Sequence, residues 1–144
     1  MSYRVPPSDV LAVVISEALD EQPTVISQNR LTKIVLGKLR QIDREYAVTE
    51  ERVRRVAIRY GLARVEIQMR EADEKTSYSR CPVCASKMKR VRNTTIFGGI
   101  VTLGYKCPQC PYWTGINKRI PVRYVFVRGD QARLQREGNI AILS

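Results

Sequence analysis

With 144 residues, 44% of them apolar, the chain is long enough to bury a core and has the composition of a globular rather than a disordered protein. No apolar run approaches the roughly 18 residues of a membrane-spanning helix, and the longest, residues 10–15, is too short for a signal core. No membrane association is therefore expected, and a cytoplasmic location with reduced thiols is. The formal charge of +11 points to an acidic partner, while the absence of histidine removes the ordinary general base near pH 7 and argues against an enzyme.

Taken in order, residues 1–7 form an irregular lead ended by Pro6 and Pro7. Ser8 is placed to cap a first helix over residues 9–20, with Leu11, Val14, Ile15 and Ala18 on one stripe. A second helix is expected over residues 27–46, capped by Ser27, with Leu31, Ile34, Val35, Leu39 and Ile42 on its apolar face. Gly37 in its middle marks a close contact or a break. The third helix has the clearest limits: Thr49 as cap, Glu50 and Glu51 at the positive end of the dipole, and Gly61 as the stop. Val53, Val56, Ala57 and Tyr60 share one side, and Arg52, Arg55 and Arg59 fall nearly opposite.

After Gly61 the period changes to two. Val65, Ile67 and Met69 alternate with Arg64, Glu66, Gln68 and Arg70, which reads as a half-buried strand; residues 72–75 are a polar turn and residues 76–80 the returning strand of a hairpin. Residues 87–92 form a basic strand, residues 93–99 a turn with Gly98 and Gly99, and residues 100–106 the return. A further strand, residues 121–128, is expected to extend that sheet, followed by a short helix over residues 130–137 and an apolar tail at 140–143.

All four cysteines lie in the second half, as Cys81-Pro-Val-Cys84 and Cys107-Pro-Gln-Cys110. Two-residue gaps let each pair wrap one ion in a tight turn, and an insert of about twenty residues is enough for the hairpin that brings the turns together. Four soft thiolates suit one structural zinc ion per chain and leave no open position for chemistry. Iron in a rubredoxin-like site would have the same geometry, and the spacing does not separate the two metals. Disulfides fit poorly with pairs two residues apart in a reducing compartment, and a redox dithiol would need only one such motif opening a helix. Ala85 and Pro111 stand where a left-handed glycine is common, and a proline there has neither the φ nor the N–H for the usual closure.

The charge is concentrated around this motif. Residues 1–76 carry 13 Lys and Arg against 12 Asp and Glu, whereas residues 77–144 carry 12 against 2. A solvated surface needs no such excess. Lys87, Lys89, Arg90 and Arg92 on one strand, with Lys106, Lys118 and Arg119 across the ribbon, are candidate phosphate contacts.

Three helices followed by a hairpin, with arginines on the third helix, resemble the winged helix-turn-helix family over about residues 8–80. The resemblance implies that the third helix enters the major groove with Arg52, Arg55 and Arg59, and that Asp73, Glu74 and Lys75 form the tip of the wing. A winged helix followed by a zinc ribbon is similar to archaeal transcription proteins of the kind that includes the large subunit of transcription factor E. The expectation is therefore an α+β protein: a three-helix winged helix over residues 1–76, an antiparallel zinc ribbon over 77–128, and a short helix and apolar tail over 129–144. Its expected role is DNA-binding transcription regulation. Structured RNA is the alternative partner, and docking on a larger machine such as RNA polymerase, through the ribbon or the apolar tail, is a third reading.

Overall fold

The computed structural model describes residues 3–76 and 79–129; the expected helix at 130–137 and tail at 140–143 lie outside them. The protein is α+β, with three helices and two three-stranded sheets among the described residues, and its chain folds as two compact units. Among the described residues, one unit is built from 3–66 and 124–129, and the other from 67–76 and 79–123. The first unit thus takes in the two sides of the chain that flank the second, where the sequence divides serially on its motifs.

In the first unit, α1 (Ser8–Glu21) begins one residue earlier than expected. Pro7 is the N-cap, with extended φ and ψ of −60° and 155°, so Ser8 is the first helical residue and its Oγ is free to accept a bond from Arg52 Nη2 at 3.4 Å. The predicted stripe of Leu11, Val14, Ile15 and Ala18 is buried, joined by Ala12 and Leu19. The helix α2 (Gln28–Ile42) is capped by Ser27, whose Oγ accepts from Arg30 N–H at 3.1 Å. It stops four residues short of expectation because Asp43 is extended and folds the chain back, taking Glu45 N–H on Oδ1 and Tyr46 N–H on its carbonyl. Ile42 is consequently exposed. Gly37 faces open space inside an unbroken helix, so it marks neither a contact nor a break.

Thr49 caps α3 (Glu50–Arg59) by accepting from Arg52 N–H at 3.1 Å, and Gly61 at φ 67° ends it in the left-handed conformation that glycine adopts without cost. Val53, Val56 and Ala57 are buried as expected, whereas Tyr60 is about half exposed. Arg54 is the surprise, only 7% exposed. A buried guanidinium must be satisfied: Arg54 Nη1 donates to Gln28 Oε1 at 2.6 Å, Gln28 Nε2 donates to Glu50 Oε1 at 3.1 Å, and the guanidinium carbon lies 4.7 Å from the Tyr124 ring centroid. One side chain thus ties α3 to α2 and to the last strand.

The sheets depart furthest from expectation. The strands β1 (Thr24–Val25), β2 (Ala63–Lys75) and β6 (Asn117–Arg128) form one sheet in the order β1-β6-β2. The alternation of Val65, Ile67 and Met69 against exposed neighbours is as expected, but Asp73, Glu74 and Lys75 belong to β2 rather than to a turn. Residues 76–80 contain no returning strand among those described; the partner is β6, some forty residues further on. Nor does β6 extend the ribbon sheet. Its Val127 and Phe126 pair with Thr24 and Val25 of β1, Arg128 N–H donates to Pro23 carbonyl at 2.7 Å, and Gly129 N–H donates to Leu62 carbonyl at 2.9 Å. Gly129 is held so closely that a Cβ there would meet the Gly61 carbonyl at 2.6 Å.

The second unit carries the sheet β3-β4-β5, made by β3 (Lys89–Thr94), β4 (Ile100–Lys106) and β5 (Trp113–Thr114). The register runs Lys89 to Lys106, Arg90 to Tyr105 and Val91 to Gly104, then shifts at a bulge before Arg92 meets Thr102. Gly104 allows the backbones to touch, since a Cβ would lie 2.2 Å from the Thr114 carbonyl.

Phe126, fully buried beside β1, should be as important to the helices as any helical residue. Phe126→Ala is expected to lower the stability of the first unit by about 3–5 kcal/mol. Urea denaturation followed by helical circular dichroism checks this; an unchanged midpoint would mean that the helices stand without the last strand.

Candidate metal centre

Each Cys-Pro-X-Cys run folds into a turn whose amides face sulfur. Val83 N–H donates to Cys81 Sγ and Gln109 N–H to Cys107 Sγ, both at 3.3 Å. The first turn closes through Cys81 N–H to Ser86 carbonyl at 2.8 Å and Ala85 N–H to Cys81 carbonyl at 2.9 Å. The second has the equivalent of the former bond, Cys107 N–H to Tyr112 carbonyl at 3.0 Å. It lacks the latter, because Pro111 has no N–H to give. The expectation for Pro111 therefore holds for one bond and fails for the closure as a whole. Ala85 adopts φ 67°, the left-handed conformation that glycine fills at no steric cost and that an L side chain resists.

The two turns bring the four sulfurs within 4.8 Å of one another, with Cys81 to Cys110 at 3.6 Å and Cys84 to Cys107 at 3.5 Å. A regular tetrahedron with metal–sulfur bonds of about 2.3 Å has edges of about 3.8 Å, so the cluster matches a single four-coordinate ion. Cys81, Cys84 and Cys107 are buried and Cys110 is half-buried, so the sulfurs are largely shielded from solvent. The four cysteines form a cluster that could hold one metal ion.

Without a cation the thiols compete for one negative charge. The bond from the Cys110 thiol favours a thiolate at Cys81, whose pKa falls to about 5, and the same bond raises that of Cys110. Burial holds the Cys107 thiol up, at about 11. A divalent ion reverses this by stabilising every thiolate at once.

The structure places the predicted basic residues in three settings. Lys87, Lys89, Arg90, Arg92 and Lys106 are exposed in the second unit, with Lys89 directly across from Lys106. Lys118 is half-buried and 3.9 Å from Glu74, and Arg119 stacks over Trp113 with its guanidinium carbon 3.9 Å from the ring centroid. In the first unit Arg59 is exposed, but Arg52 and Arg55 are partly buried: Arg52 reaches Ser8, and Arg55 pairs with Glu51 at 2.7 Å. The three do not form one open arginine face. Sequence reasoning overlooked Trp113; a lone tryptophan beside a metal turn in the basic half was the available signal. It also passed over the hairpin tip, where Ile96 and Phe97 are 94% and 92% exposed. Bonds from Thr95 N–H to Gly99 carbonyl at 2.7 Å and from Gly98 N–H to Thr95 carbonyl at 3.0 Å close that tip.

No protein-family model, curated protein or solved structure matches this chain.

Elemental analysis is expected to find one metal ion per chain, and its absence from protein prepared without chelator would refute the site. Cys107 and Cys110 are protonated at pH 7 and must release their protons on binding, so affinity should fall about a hundredfold or more per unit as pH drops from 8 towards 6. Chelator competition across that range checks the sign and the slope. Ala85→Gly should relieve the left-handed residue and strengthen the site by about 1 kcal/mol, read in the same competition.

Proposed function

We propose that this chain is a zinc-stabilised nucleic-acid-binding protein that acts as a DNA-binding transcription regulator. The observation that carries the reading is a set of exposed cations without counter-ions. Among the described residues, Lys87, Lys89, Arg90, Arg92 and Lys106 have no carboxylate within ion-pair distance, whereas Lys38, Arg55, Arg64, Lys118 and Arg128 each have one. Residues 67–123 hold 11 Lys and Arg against 3 Asp and Glu. Such a field favours a polyanion, and each phosphate it neutralises releases a counterion. Zinc suits the closed four-sulfur site, where a redox-inert ion is all that an architectural role needs.

Three helices, a basic third helix and a long strand pair support a winged helix-turn-helix reading of the first unit. On that reading β2 and β6 are the wing strands, and residues 76–116 stand in the chain where a wing has its turn. This also accounts for the acidic Asp73 and Glu74, which lie in β2 and are not a tip. Arg59 is then the foremost candidate for reading bases from α3, with Arg55 available if it exchanges Glu51 for DNA. The reading stands on charge and on the helices with their sheet, not on a serial order of modules.

A second reading, docking on a larger protein machine, is favoured by Ile96 and Phe97 at the hairpin tip. One titration separates the two. The metal-loaded full chain should bind duplex DNA with a steep salt dependence. Replacing Lys87, Lys89, Arg90 and Arg92 together with glutamine should flatten the log–log slope by up to about four, at about 0.9 per phosphate. Arg59→Ala should reduce preference for a target over random duplex by about 1–3 kcal/mol. An unchanged slope would refute the phosphate role, tighter binding to structured RNA would refute the choice of DNA, and no salt-dependent binding would favour docking.

A further inference from the structure

The ribbon sheet has one face on which aromatic and cationic side chains are lined up. Residues directly opposite each other in neighbouring antiparallel strands project from the same face. Lys89 pairs with Lys106, and Lys106 with Trp113, so the three form one row across β3, β4 and β5. The next residues in register, Val91 and Gly104, continue that face, and the intervening row of Arg90, Tyr105 and Thr114 belongs to the other.

Trp113 is 49% exposed although its neighbours Tyr112 and Thr114 are buried. Those neighbours explain how the site is built. Tyr112 Oη donates to the Arg119 carbonyl at 2.6 Å, and Thr114 Oγ1 accepts from Arg119 N–H at 3.0 Å, so the Arg119 backbone is held on both sides. Its guanidinium is thereby set 3.9 Å from the centroid of the Trp113 ring, covering one face of the indole. Beside the tryptophan lies an open hollow of about 300 Å³, lined by Val91, Leu103, Gly104, Lys106 and Trp113 among others. An apolar hollow with an exposed indole on its wall and two lysines in register is matched to a flat aromatic ligand that carries negative charge.

Building on the nucleic-acid reading above, we propose that Trp113 stacks an unpaired base of single-stranded DNA, with Lys89 and Lys106 holding the adjoining phosphates. Every base has a π-face, so the site is tolerant of sequence, and a base within a duplex keeps its faces covered by its neighbours. Arg119, stacked on one face of the indole, keeps the ring in place and adds positive charge, and the base takes the other face. The ribbon therefore binds DNA strands that are open, a preference different in kind from the base-edge reading assigned to α3.

Trp113 is the sole tryptophan, so its fluorescence reports this site alone. The zinc-loaded full chain is titrated with a thymidine oligonucleotide, a duplex, an RNA oligonucleotide of matching length and inorganic polyphosphate. The single-stranded DNA is expected to quench the emission strongly and the duplex much less, while polyphosphate, which has charge but no base, leaves it unchanged. Trp113→Ala should weaken single-strand binding about tenfold to a hundredfold, and Trp113→Phe, which keeps an aromatic ring, should recover most of it. Lys89→Gln with Lys106→Gln should lower the salt slope by about 1.4, at about 0.7 per single-strand phosphate, yet leave the quench at saturation in place. Binding without quenching, or equal quenching by polyphosphate, overturns the stacking site but leaves the nucleic-acid function standing. Tighter binding of the RNA overturns the choice of DNA, and no salt-dependent binding to any of the four overturns both proposals.

Discussion

The place of β6 between β1 and β2 is the constraint on which the rest of this structure depends. A middle strand satisfies its backbone on both edges, and here one edge meets Thr24 and Val25 while the other meets β2. Phe126 on that strand is fully buried, Tyr124 takes the Arg54 guanidinium against its ring, and Gly129 closes onto the turn after α3. Without it the helices would lose these contacts, whatever their caps contribute. Since β6 follows the four cysteines in the chain, the helical unit and the metal-binding unit are interleaved by connectivity, and neither is an appendage of the other.

Within the second unit a metal ion on the four cysteines would have the corresponding role. A sheet of three strands, one of them only two residues long, buries little apolar surface, and among the described residues there Tyr112 is the only large side chain that is fully buried. Small folds of this kind depend on a cross-link or an ion. Cys81 on one side and Cys107 and Cys110 on the other have opposed proton affinities, and a cation that takes the place of the protons would give them a common state. An ion held there would fix the exposed cations on β3 and β4 as an array, which would link a buried site to surface electrostatics.

What was legible in the sequence was local. Ser27, Thr49 and Gly61 act through bonds within a few residues, and the two cysteine pairs carry their geometry in their spacing, so helices two and three and the clustering of the four cysteines could be located in advance. The alternation of Val65, Ile67 and Met69 identified β2 but could not say what pairs with it, because any strand with matching burial would serve. The nearest candidate, residues 76–80, was the natural choice and the wrong one. Arg54 was hidden for another reason: among six arginines and glutamates in one helix, charge outweighed the fact that it lies one turn before the buried Ala57 and Ile58. Pro7 displaced Ser8 as the cap because its fixed φ already suits the entry into a helix.

The interleaving has a consequence for how the protein is made. A ribosome delivers β2 first and β6 only after the forty or so residues between them, an interval of a few seconds at about 5–20 residues per second. Throughout that interval the three helices exist without their central strand, and the edge of β2 is open to any passing strand. The cysteine turns, in contrast, are complete once Tyr112 has emerged and can capture an ion before β6 is finished. The cysteine turns are thus free to fold while the nascent helical unit still waits for its last strand.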